Sequence, residues 1–169
     1  MEASNGFLEY WGSHLAVVGT FCILLFSVLF IIYLPQWVLE RHLPKLTLAE
    51  LTAQCPDLGW LRWARVVWGL GTFLLEAGGI FYCLGRSHRV GDDDATGYLV
   101  VAVLCIVPLS AGVWALCTGV YRASDKRGFT NEYYRVAETP HQRLPWVQII
   151  AALTVAGVSL AVFFVMDRN

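Results

Sequence analysis

Four unbroken apolar stretches limit what this chain can fold into: Leu15–Leu34, Val66–Gly85, Gly97–Tyr121 and Leu144–Met166. A helix of about 20 apolar residues crosses the hydrocarbon core of a bilayer, and each stretch is long enough. In all four, Glu76 is the only charged residue. The chain is 57% hydrophobic and 15% charged, whereas soluble domains carry about 25% charged residues. The expected fold is therefore all-α, a polytopic integral membrane protein with four transmembrane helices in one bundle. The spans should cover residues 12–36, 63–85, 97–121 and 145–166, forming a single membrane domain over 1–169. The connectors are too short to bury a core alone, since folds below about 40 residues usually need disulfides or metals.

Orientation follows from Lys and Arg. Arg41, Lys45, Arg62 and Arg65 lie between spans one and two, and Arg122, Lys126, Arg127, Arg135 and Arg143 between spans three and four. The opposite side has only Arg86, Arg89 and Arg168. Nine against three places both termini and the acidic loop Asp92-Asp93-Asp94 outside under the positive-inside rule. In a mitochondrial inner membrane, outside is the intermembrane space. The N-terminal ten residues carry two acids and no Lys or Arg, unlike secretory or mitochondrial leaders. The first span is thus expected to be its own targeting signal.

In the first connector, 37–62, Thr47 with Glu50 three residues on spells a capping box. A short helix is expected near 47–54, with Leu48 and Leu51 on one face against the membrane surface. Connector 122–144 is polar and carries charges of both signs. Pro145 suits the first turn of the last span, where its missing N–H is not needed.

Within span two, Gly69, Thr72, Glu76, Gly79 and Cys83 fall on one helical stripe. Span three repeats the pattern with Cys105, Pro108, Gly112, Ala115 and Gly119, and Pro108 should kink it. Gln148, Ala152, Val155 and Ser159 form a weaker stripe on span four. Small residues let helix backbones approach in lipid, so Glu76 is expected to face a neighbouring helix near mid-membrane. Thr72, Ser110, Ser159 and Gln148 are its candidate partners, because no Lys, Arg or His shares its depth. Glu76 is then a neutral acid locking helices, the partner of a cation on another chain, or a proton- or ligand-handling group.

Other chemistries find little support. No two histidines share a depth inside the membrane, as paired haem ligands would. There is no CxxC pair, phosphate loop, nucleophile elbow or HExxH, and the five cysteines read as packing residues. No catalytic or metal site and no cofactor is expected, though bound lipids are. A net charge of −1 without a basic stripe gives no reason to expect nucleic acid, and no soluble substrate is evident. The four-span layout is common to many unrelated proteins and names no family. The expected role is a non-catalytic accessory subunit of a larger membrane complex, partnered by other membrane subunits and lipids. A respiratory-chain or ATP-synthase assembly of the mitochondrial inner membrane is the setting expected for it. The alternative is a free-standing four-helix transporter or lipid-binding membrane enzyme using Glu76.

Overall fold

A computed structural model describes residues 2–90, 93–124, 131–137 and 140–168. The fold is all-α, with four helical segments long and apolar enough to span a membrane: His14–His42, Pro56–Arg89, Ala95–Thr118 and Pro140–Met166. The elements are α1 (Glu2–His42), α2 (Leu48–Gln54), a 3-10 turn at Pro56–Leu58, α3 (Leu61–Val90), α4 (Asp93–Leu104) and α5 (Ile106–Thr118). A hairpin of β1 (Val120–Ser124) and β2 (Asn131–Arg135), a second 3-10 turn at Pro140–Arg143 and α6 (Leu144–Met166) complete the order.

The third span is two helices rather than one. Pro108 has no N–H for the carbonyl of Leu104, and its ring crowds that turn. The α-helical pattern breaks at Cys105, between α4 and α5. The span also stops sooner than residue 121, because Gly119 adopts φ 68°, a left-handed cap whose N–H returns to the Ala115 carbonyl at 2.8 Å. Glycine takes this conformation without a Cβ penalty. Gly119 is therefore a helix stop and not part of a helix-packing stripe. A Cβ there would also meet Ala137 Cβ at 2.7 Å.

α6 is the hub. Its buried Ala152, Ser159 and Phe163 point inward, and it packs on α1, α4 and α5. Leu24, Val28, Tyr98, Val101, Cys105 and Phe163 form the central cluster. Helices come close where side chains are absent. A Cβ on Gly112 would lie 2.7 Å from Ile149 and 3.2 Å from the Pro145 carbonyl, and one on Gly79 would lie 2.7 Å from Val103. α3 is the outlier, packing chiefly on α4 and α5 among the helices and exposing Phe73, Leu74, Leu75 and Phe81.

At one end the two long connectors fold against each other. Thr47 caps α2, its N–H donating to Glu50 Oε2 at 2.7 Å and its Oγ1 accepting from the Glu50 N–H at 3.3 Å. The Leu48–Leu51 face packs on the protein itself. Leu51 is fully buried with Leu61, Trp114, Val120 and Tyr133, and Leu48 packs on that cluster. The connector over 122–144 contains an unforeseen strand pair, β1 and β2, antiparallel with Tyr121 opposite Tyr134. Leu46 bridges to Tyr133 by backbone bonds of 3.0 and 2.8 Å, joining the first connector to β2. Lys45 reaches Glu132 at 2.8 Å and Glu40 at 3.3 Å. The Glu132 carboxylate, with Glu40 behind it, holds the Lys45 ammonium above the usual lysine range against the opposing cost of burial. At the opposite end Arg86 pairs with Asp167 and lies over the Phe163 ring at 4.9 Å, tying α3 to the end of α6.

Candidate functional site

The space between α3 and α5 is divided by a polar and aromatic wall. Thr72 Oγ1 and Ser110 Oγ lie 2.6 Å apart, Trp68 Nε1 donates to Ser110 Oγ at 2.8 Å, and the Trp68 and Trp114 rings stand 5.9 Å apart. One side of the wall is an almost wholly apolar groove of ≈570 Å³ lined by Trp60, Val67, Leu75, Leu109 and Val113. The other side is a slot of ≈290 Å³ that contains Arg65, Gly69, Thr72, Glu76, Tyr121 and Arg122.

Glu76 thus lines an opening in the flank of the bundle and is half-buried. Among the described residues it has no hydrogen bond or ion pair. The partners expected for it are used elsewhere. Thr72 and Ser110 bond each other, and Ser159 Oγ donates to the Val155 carbonyl of its own helix at 2.8 Å. Gln148 is buried, accepting from Tyr121 Oη at 3.0 Å and donating to the Ile31 carbonyl at 3.4 Å. That last bond has a local cause. Pro35 lies inside α1 and cannot supply the N–H that the Ile31 carbonyl would otherwise accept, so a side chain from α6 reaches across to it.

The cationic end of the slot was not foreseen. Arg65 is on the second turn of α3 and Arg122 on β1, and the turn at Gly119 carries the chain back under α3 to bring them together. Arg65 Nη1 donates to Tyr133 Oη at 2.8 Å, which orients the guanidinium while leaving donors for a ligand. From Arg65 to Glu76 is eleven residues of helix, about 16 Å of rise. The slot therefore extends along α3 from Arg65 to Glu76.

The remaining sequence candidates are dispersed around this slot. Gly69 lines it, with open space for 4 Å around the point where a Cβ would stand. Cys83 and Gly79 face inward against α4, and Cys105, Gly112 and Ala115 lie in the core. Of the five free thiols only Cys83 and Cys105 are buried, so packing does not account for Cys22, Cys55 or Cys117. Of the acidic loop, Asp92 lies outside the described residues. Among the described residues no group of three His, Cys, Asp or Glu comes together in a way that could hold a metal. No family model, curated protein or solved structure matches the chain.

Proposed function

We propose that this protein is a non-catalytic, membrane-embedded binding protein that holds an amphiphilic lipid in the slot between α3 and α5. The observation that carries this reading is Glu76 lining the slot with no hydrogen-bond or ion-pair partner among the described residues, while Arg65 and Arg122 line the same slot. An intramembrane carboxylate is costly and marks a functional position by default. Here the neighbouring helices leave Glu76 facing the slot, so whatever fills the slot lies against it. This favours the ligand-binding alternative over a purely structural subunit, because two grounds for the latter are met within the chain. Gly79 and Gly112 pack against its own helices, and its polar connectors hold one another.

The accessory-subunit reading keeps one specific support, the extensively uncovered apolar surface of α3. A lipid-filled slot is compatible with such a subunit of a mitochondrial inner-membrane complex. Migration of the native protein in mild detergent as a large assembly supports that setting, and a monomer-sized band removes it. Both termini are proposed to face outward, with the hairpin end inside. An impermeant thiol reagent should then reach a cysteine placed at Asp93 in sealed vesicles and not one at Lys126, and the reverse labelling would invert the topology.

The slot itself is tested by filling it. Gly69→Phe projects a ring into open space, so the protein should purify and melt normally in lipid-free detergent while retaining several-fold less co-purified lipid. Glu76→Gln keeps the shape and most of the bonding, and an exchanged hydrogen bond is worth about 0.5–1.5 kcal/mol. Its stability should stay within that range. Unchanged lipid retention by Gly69→Phe would remove the slot as a binding site. Dissociation of Glu76→Gln from a native assembly would instead assign Glu76 to a cation on a partner, a one-sided loss costing about 3–5 kcal/mol.

A further inference from the structure

The slot beside α3 is one of a pair. A second cavity of ≈290 Å³ opens between α1, α5 and the hairpin, lined by Ile32, Gln36, Leu39, Pro108, Tyr134 and Gln148 among others. The two cavities share four residues: Val107 and Ala111 on α5, and Tyr121 and Arg122 on β1. Val107 and Ala111 are one helical turn apart, so together they form a low ridge between the slots. Arg122 stands at the head of that ridge, where both slots meet, and Arg65 stands beside it on the α3 side.

Charge is distributed unevenly along this site. Among the residues lining the two slots, Arg65 and Arg122 are the cations and Glu76 is the sole acid, about 16 Å deeper along α3.

Resting on the lipid-binding reading above, we infer that the ligand is a two-chain anionic phospholipid from the leaflet at the hairpin end. Its phosphate sits on Arg122 and Arg65, and its two chains straddle the Val107–Ala111 ridge, one in each slot. Guanidinium forks match phosphate oxygens in geometry and charge, and basic pockets between spanning helices are suited to anionic head groups. A single-chain amphiphile would leave one slot unfilled, and a zwitterionic head would set its own cation against the arginine pair.

The test is native mass spectrometry of the full chain in mild detergent, offered phosphatidylglycerol, phosphatidylcholine and single-chain lysophosphatidylglycerol at equal concentration. Phosphatidylglycerol should be retained one-to-one in preference to both others. Arg122→Gln and, on a separate element, Arg65→Gln should each reduce it about fivefold, the effect of one interfacial basic residue. Arg62→Gln, which does not line either slot, should leave it unchanged. Either arginine variant suffices should the other not purify. Equal retention of phosphatidylcholine and phosphatidylglycerol, with both displaced by Gly69→Phe, would overturn the anionic head while leaving the lipid slot standing. Lysophosphatidylglycerol binding as well as the two-chain lipid would overturn the two-slot arrangement. No retained lipid at all would end both readings.

Discussion

Gly112→Leu should give the largest loss of folded protein among changes to the small residues of the helix faces. The space a side chain would need is already filled, by Ile149 at 2.7 Å and by the Pro145 carbonyl at 3.2 Å. Ile149 can rotate, but the carbonyl is backbone at the start of α6, and α6 is the helix on which α1, α4 and α5 all pack. Overpacking of a close-packed site costs about 1–3 kcal/mol, and an unyielding backbone neighbour puts this variant at the upper end. Gly79→Leu is the informative comparison. Its collision is with the side chain of Val103 alone, where the outlying helix α3 meets α4, so it should lose about half as much. The measurement is the unfolding midpoint in a denaturing-detergent titration, beside the amount recovered from the membrane. Equal midpoints for wild type and Gly112→Leu would mean that α5 and α6 do not approach as closely as described.

The spans were legible because long apolar runs admit few alternatives, and Thr47-x-x-Glu50 announced α2 through a local bond between neighbours. Pro108 likewise announced the break in the third span, since a missing N–H is a property of the residue itself. What escaped notice depended on where the chain goes next. Gly119 fits a small-residue stripe as well as it fits a helix stop, and only the chain reversal after it decides between them. That reversal makes β1, sets Tyr121 against Tyr134 and brings Arg122 beneath Arg65. The hairpin did leave a signal in the β-prone pairs Val120-Tyr121 and Tyr133-Tyr134, but the intervening charges masked it. Glu76 was conspicuous from composition alone. Its cavity was not, because the width of a slot depends on how far two helices diverge, and here Trp68 and Trp114 set that distance.

Gln148→Leu should destabilise the bundle by about 2–4 kcal/mol, since it strands two buried groups costing about 1–3 kcal/mol each. Tyr121 Oη loses its acceptor at 3.0 Å, and the Ile31 carbonyl loses its donor at 3.4 Å. The longer bond is the weaker one, and interhelical hydrogen bonds in membranes average only about 0.6 kcal/mol, so the Tyr121 side should dominate. Two second-site changes separate the contributions. Tyr121→Phe removes the stranded hydroxyl and should recover most of the loss, because deleting both partners of a buried bond is far milder than deleting one. Pro35→Ala restores an N–H four residues beyond Ile31 and should recover the smaller share by letting α1 satisfy its own carbonyl. The two rescues should add, since they act on opposite ends of the Gln148 amide. Unfolding titrations of the four combinations decide the matter. A Gln148→Leu protein as stable as wild type would show that this amide does not join α1, β1 and α6, and the floor of both slots would then need another explanation.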